Sequence, residues 1–154
     1  MDKQRTAAVQ IRPFEVADYA GARALWQSVE GLGLNESDTR EAVAAFIDRN
    51  PKFSAVALSG GTLVGTVLCG HNGRAGSLYH LAVADSHRGQ GIGRALVNHA
   101  LAKLAEAGIP RCNIFVYNAN DEGNGFWLRQ GWDDPATWRV LQKRLLLANT
   151  AKRE

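Results

Sequence analysis

The stretch "ADSHRGQGIGRAL", residues 84–96, places Gly89, Gly91 and Gly93 at alternate positions between Arg88 and Arg94. An apolar run, "LYHLAV" (78–83), precedes it, and apolar residues return at helical spacing after it: Ile92, Ala95, Leu96, Ala100 and Leu104. The glycines therefore sit where a strand hands over to a helix. Glycine takes up positive φ without steric cost and lets backbone approach a ligand closely. The first turn of a helix offers free N–H groups at the positive end of the helix dipole. Together these features make a cradle suited to phosphate or pyrophosphate, with two guanidinium groups beside it. The plainer alternative is a flexible glycine-rich connection with no ligand. Two other phosphate motifs fail on spacing. A P-loop needs Lys and then Ser or Thr after the last glycine, where Arg94 and Ala95 stand, and a dinucleotide fingerprint needs glycine at position 94.

Outward from this junction, the pattern predicts one continuous unit. "VQIRPF" (9–14) reads as an edge strand stopped at Pro13. A helix over 15–29 carries Val16, Tyr19, Ala20, Ala22, Leu25 and Trp26 on its apolar stripe, weakened by Gly21. A loop over 30–37 leads to a second helix capped by Ser37 and closed by Asn50-Pro51. Residues 52–71 form a hairpin around Gly60-Gly61, and 77–83 a third strand of the same meander. The helix over 91–107 ends at Gly108, with Pro110 beyond. A strand over 111–117, a short helix over 122–130 stopped by Gly131, and a last strand over 138–146 complete the core, leaving 147–154 as a loose tail. The order β-α-α-β-β-β-α-β-α-β implies an α/β or α+β fold, with strand–helix–strand crossovers in the second half.

Composition narrows the function classes. The chain has 154 residues, which suits a single domain with a real core; 45% of them are apolar and 21% charged. Net charge is +3, with Lys and Arg scattered rather than blocked. That balance suits a small anionic ligand and does not require nucleic acid. The opening "MDKQRTAAVQ" has no apolar core of a signal peptide, and no apolar run approaches the roughly 18 residues of a membrane span. Cys69 and Cys112 lie in apolar segments without metal-ligand spacing and read as buried core thiols in a reducing compartment. The expected location is the cytoplasm, with no bound metal.

"RGQGIG", Arg88 to Gly93, resembles the R/Q-x-x-G-x-G/A signature of the GNAT superfamily, the acetyl-CoA-dependent N-acetyltransferases. "IRPFEVADYAGARALW" is similar to the opening strand and helix of such enzymes, and "LVGTVLCGHNGRAGSLYHLAV" to their central strands. "VYNANDEGNGFWLRQGW" resembles their C-terminal V-x-x-x-N-x-x-A-x-x-F-Y-x-x-x-G-F segment, so the likeness spans about residues 9–146. It looks closest to small, single-domain bacterial members. The resemblance implies a mixed sheet of six to seven strands flanked by about four helices, with splayed central strands. It also implies acetyl-CoA as co-substrate and transfer of the acetyl group to a primary amine by direct attack in a ternary complex.

The resemblance assigns roles residue by residue. Leu81, Ala82 and Val83 are the backbone contacts of the pantetheine arm, and one of their N–H groups polarises the thioester carbonyl. Arg88, Gly89, Gln90, Gly91, Ile92, Gly93 and Arg94 hold the pyrophosphate, chiefly through main-chain N–H groups. Asn120 matches the family's asparagine and hydrogen-bonds the pantetheine; its alternative is a turn or cap residue. Two positions depart from the pattern. Ser77 stands where many members carry glutamate as base, and Trp127 where a general-acid tyrosine is common. An indole N–H cannot protonate a thiolate, so Trp127 is expected to pack beside the cofactor. Tyr79 shares strand parity with Ser77 and Leu81 and is the candidate to order a water or donate a proton; packing against a helix is the plainer role. His80, of opposite parity, is expected to face away as a structural residue. His71, His87 and Tyr117 are reserve candidates. Glu30, Glu36, Asp38, Glu41, Asp121 and Glu122 either attract a cationic amine or form a solvated face, and the solvated face is the simpler reading. Trp26 and Trp132 read as core.

Three function classes follow: an amine acetyltransferase, a non-catalytic acyl-CoA-binding or sensing module, and a nucleic-acid-binding protein. The last is suggested only by the basic balance and lacks any recognisable binding motif. The residues do not name the acceptor, and a homodimer is expected only because dimers are common among the proteins this chain resembles.

Overall fold

The structure is a computed structural model that describes residues 8–147. Two compact units make up the chain, Met1–Asn120 and Asp121–Glu154. The first contains β1 (Val9–Pro13), α1 (Tyr19–Ser28), α2 (Arg40–Arg49), β2 (Ala55–Ser59), β3 (Thr62–His71), β4 (Gly76–Val83), α3 (Ile92–Glu106) and β5 (Cys112–Ile114). The second contains α4 (Asp121–Arg129).

The five strands form one sheet in the order β1-β2-β3-β4-β5. Neighbours run antiparallel as far as β4, and β4 pairs with β5 in parallel. The parallel pair needs a crossover, which α3 supplies. The β2–β3 hairpin closes on Gly60 and Gly61, with φ of 57° and 84° and with Ser59 paired to Thr62. Positive φ at both central residues is what a primed two-residue turn requires.

Each face of the sheet has its own helices. On one face, Tyr19, Ala22, Leu25 and Trp26 of α1 and Val43 of α2 share a core cluster with Phe14, Val56, Leu68 and Ala82. On the other face lies α3, with Ile92, Leu96, Val97, Ala100 and Leu104 buried. Glycine makes that approach possible: a Cβ on Gly76 would come within 2.6 Å of Leu104 Cδ1. The C-terminus of α3 follows expectation, with Gly108 at φ 79° and the Ile109 N–H donating to the Leu104 carbonyl at 2.9 Å.

Three readings need correction. The cap of α2 is Thr39, whose hydroxyl accepts from the Ala42 N–H at 3.1 Å; Ser37 belongs to a separate 3-10 turn, Glu36–Asp38, where its N–H donates to Asn35 Oδ1. The strand over 111–117 shortens to Cys112–Ile114, and 138–146 forms no strand. Apolar content gave 138–146 the look of a strand, but Leu141 and Leu145 are exposed. A strand is fixed by its partner and its burial, not by composition. The described residues therefore hold five strands rather than six or seven. Among them no helix is long and apolar enough to cross a membrane.

Candidate active site

The glycine corner is built as the spacing implied. A 3-10 turn, Asp85–His87, leaves β4, and Gly89 and Gly91 follow at φ 77° and 81° with open space where a Cβ would stand. Gly91 takes the N-cap position of α3 with no side chain capping it. The N–H groups of the first turn, which have no partner inside a helix, thus face outward. Arg88, Gly89, Gln90, Gly91 and Arg94 are exposed, whereas Ile92 turns its side chain into the core against Gly65 and offers only backbone. Gly93 is part of the helix itself. The Arg88 guanidinium folds back, its Nε donating to the Val83 carbonyl at 3.2 Å and standing 3.3 Å from Asp85 Oδ1.

The strand feeding this corner is splayed. Pairing of β4 with β5 runs only from Gly76 to Leu78, and the residues beyond lack that neighbour. On the other edge, Ala84 N–H donates to the Val64 carbonyl at 2.8 Å. By strand alternation the amide of Val83 then points the opposite way, into the gap. Ala82, before it, turns its side chain into the core cluster. Val83 therefore presents backbone to a gap that leads to the glycine corner, while Ala82 pairs with Thr66 of β3.

The largest departure from the sequence reading lies just before them. Thr66 of β3 faces Ala82, yet Leu68 faces Tyr79, so β4 carries one extra residue and the ladder bulges. His80 sits in the bulge at φ 51°. The bulge breaks alternation, and Tyr79 and His80 turn to the same side of the sheet, that of α1 and α2. His80 does not face away: its ring lies on Trp26, 4.7 Å between centroids, and its Nε2 is 2.7 Å from Asp38 Oδ1. For the same reason Leu81 no longer shares a face with Tyr79.

A polar network holds this arrangement inside the core. The Thr66 hydroxyl accepts from Trp26 Nε1 at 2.9 Å and donates to the His80 carbonyl at 2.8 Å. Asp38 is buried; its Oδ2 accepts from the Asn35 N–H at 2.8 Å, and its carbonyl accepts from the Tyr19 hydroxyl. Asp38 is thus not part of a solvated acidic face, while Glu30, Glu36 and Glu41 are exposed. Buried carboxylates persist only when paired and hydrogen-bonded, which this one is. Beside it opens a pocket of about 350 Å³. Asn35, Ser37 and Asp38 form one wall, Ala42, Val43 and Phe46 of α2 another, and Leu68, Tyr79 and His80 the floor of strands.

Tyr79 is 40% exposed, and its ring meets Phe46 edge-on at 5.9 Å. Ser77 pairs with Gly70 on one side and Asn113 on the other and does not line the pocket. Asn120 ends the first unit, its Nδ2 close to Gly31 and its N–H donating to the Tyr117 carbonyl at 3.0 Å. Trp127 lies in the second unit, buried between Phe126 and Trp132, each about 5.0 Å away. His71 serves its turn, its Nδ1 accepting from the Gly73 N–H, and His87 pairs with the Ser86 hydroxyl. The cysteines are poor nucleophiles. Burial, then the neighbouring Cys112, pushes the Cys69 thiol up to about 12, and burial pushes Cys112 to about 11. Among the described residues no cluster of three or more His, Cys, Asp or Glu can hold a metal ion.

The chain is similar to known proteins in sequence and in fold. An acetyltransferase of Yersinia pestis (strain Pestoides F) is 31% identical over 139 residues, covering 90% of this chain and 97% of its own length. A ribosomal-protein-alanine N-acetyltransferase from Brucella melitensis biovar Abortus 2308 superposes with TM-score 0.69 at 22% identity, over 90% of this chain and 99% of that one. The PaiA N-acetyltransferase from Thermoplasma acidophilum, solved in complex with coenzyme A, superposes with TM-score 0.72 at 18% identity, over 82% and 90% of the two chains. These structural likenesses share the fold. Residues 20–132 match the description "Acetyltransferase (GNAT) family", and with the splayed β4, the bulge and the glycine corner in place, the chain belongs to that family.

Proposed function

We propose that the protein transfers the acetyl group of acetyl-CoA to a primary amine by direct attack within a ternary complex. The observation that carries the reading is the continuity of the open edge of β4 with the glycine corner. In this reading the Val83 amide and the first turn of α3 supply backbone donors along the path, and the acceptor reaches it from the pocket of Tyr79 and His80. The coenzyme A bound in the Thermoplasma acidophilum relative supports the same cofactor here.

In this reading the amides at Gly89, Gly91, Ile92, Gly93 and Arg94 take the diphosphate. Arg88 exchanges its Val83 contact for a phosphate, and Gln90 and Arg94 flank the groove. An N–H of the Leu81–Val83 trio stabilises the oxyanion of the tetrahedral adduct, a contribution worth about 3–4 kcal/mol for a well-placed donor. The acceptor enters through the pocket, where Asp38 supplies the negative field for an ammonium. Tyr79, partly exposed on the pocket wall, orders water or protonates the departing thiolate, and Ser77 plays at most a polar supporting part. Coenzyme A is a fair leaving group, since a thiol pKa of about 8.5 makes the thiolate accessible.

Thermal melting with acetyl-CoA, followed by thiol release on an amine panel, tests the reading. A ligand at about 100 times its Kd adds about 2.7 kcal/mol to stability, a clear upward shift. Gly91→Glu puts a carboxylate against the diphosphate and should abolish that shift while the apo protein still melts cooperatively. An unchanged shift in the variant would remove the site. Binding without thiol release on any amine would replace the enzyme with an acyl-CoA sensor.

A further inference from the structure

We infer that His80, oriented by Asp38, is the general base that takes the proton from the acceptor ammonium. The inference rests on the acetyl-transfer reading. A carboxylate can only accept, so the ring proton between Asp38 Oδ1 and His80 sits on Nε2. Nδ1 is then the basic nitrogen, and among the described residues no protein donor occupies it. The ring lines the pocket that the acceptor enters. It is held there three ways: by Trp26 beneath it, by the carboxylate, and by the Thr66 bond to its own carbonyl.

The bulge gives this residue its role. A non-glycine residue at positive φ is strained. His is among the few types that tolerate that region. The strain persists because the surrounding bonds over-determine it, and its effect is to bring a ring that alternation would send to the α3 face into the pocket beside Tyr79. An imidazole is also the side chain whose ordinary titration lies nearest neutrality. Ser77, where a carboxylate base stands in many relatives, cannot do this work.

The ionisable groups around the ring are few. The 3-10 turn supplies Asp38. From α1, the Tyr19 hydroxyl and Arg23 both bind the Asp38 carbonyl rather than its carboxylate. From α2, Arg40 lies 6.0 Å from the centre of the Tyr19 ring. β4 itself supplies Tyr79, and β3 presents only Thr66 and Leu68. Among the described residues Asp38 is therefore the one carboxylate bonded to the ring, and it steadies the imidazolium that forms.

The protons balance as follows. The acceptor arrives as R–NH3+, and His80 Nδ1 takes one proton. The free amine attacks the thioester carbon, the C–N bond forms, and the oxyanion collapses with cleavage of the C–S bond. A second proton leaves the nitrogen and goes to the coenzyme A thiolate, so the amide keeps one N–H. His80 returns its proton to solvent, giving one proton released per turnover.

The test uses the full chain with acetyl-CoA and a panel of phenethylamine, cadaverine and a peptide amino terminus, carrying forward the best acceptor. His80→Asn removes the base but keeps a residue tolerant of positive φ. Its kcat/KM should fall roughly 10²–10⁴-fold. The acid limb of the pH profile should vanish, while acetyl-CoA affinity by calorimetry stays as in the wild type. Asp38→Asn, a change at a positioning residue, should lower kcat but leave an acid limb, because the ring remains. An intact acid limb in His80→Asn would overturn the base and leave acetyl transfer standing. A wild-type protein that turns over none of the three amines would overturn the base together with the acetyl-transfer reading.

Discussion

His80 shows how far one backbone angle can redirect chemistry. "LYHLAV" alternates cleanly on paper and sends Tyr79 and His80 to opposite faces; a single inserted residue puts them on the same one. The sequence carried two partial signals, a histidine inside an apolar strand and the tolerance of that residue type for positive φ. Neither locates a bulge, because a bulge depends on the register of the partner strand. Tyr79 itself was legible, since its placement needs only that β4 be a strand. Its hydroxyl distinguishes proton handling from packing. Tyr79→Phe keeps the edge-on contact with Phe46 and should lower kcat about tenfold or more while leaving the Kd for acetyl-CoA unchanged, read by steady-state kinetics and calorimetry. Equal activity would reduce Tyr79 to a pocket wall.

At the scale of elements, the sheet is readable where the turn chemistry is local. Gly60-Gly61 fixes the β2–β3 hairpin, and Gly108 ends α3, both through positive φ that the residue type announces. Close packing of helix on sheet is not local. A Cβ at Gly70 would lie 2.6 Å from Asn50 Nδ2 and 2.7 Å from Phe46 Cζ. Asn50 cannot yield easily, because its Oδ1 accepts from the His71 N–H at 3.0 Å and its Nδ2 donates to the Phe46 carbonyl. Gly70→Ala should therefore cost about 1–3 kcal/mol of unfolding free energy in urea titrations, through a shift of α2 against β3. That shift also moves Phe46 and the pocket wall, so KM for the acceptor should rise with it. A neutral substitution would show that α2 is free to move. The misread strand over 138–146 belongs to this scale too, since its apolar residues met the compositional rule but gained no partner.

At the scale of the whole molecule, stability should follow a window of pH set by groups that do not line the pocket. Asp18 is forked by Arg12, with both N–H···O distances 2.9 Å. Burial works against its charge, but the Arg12 bonds, the Glu15 N–H and the Arg12 charge together hold its carboxyl below the ordinary range. A lowered carboxyl contributes stability above its unfolded value and loses it as pH falls through the folded one. Cys69 and Cys112 act on the other side. Their thiols are raised from 9.0 to about 12 and about 11, so their contribution is complete below 9.0 and fades as pH rises towards those values. Urea titrations across pH should show a plateau between the two limbs. Arg12→Ala should flatten the acid limb, and Cys69→Ala the alkaline one. An acid limb unchanged in Arg12→Ala would locate the acid sensitivity elsewhere.

By itself the sequence determined the order of elements as far as α4, the glycine corner and the family, because these rest on local backbone preference and short-range pattern. Only the tertiary structure decided that Asp38, 42 residues away in sequence, would bind His80, and that the two would share a pocket with Tyr79. That meeting depends on a register shift between β3 and β4 and on the burial of a turn under α1. Both are set by long-range packing, in which each side chain's position is a compromise with neighbours that its own segment does not contain.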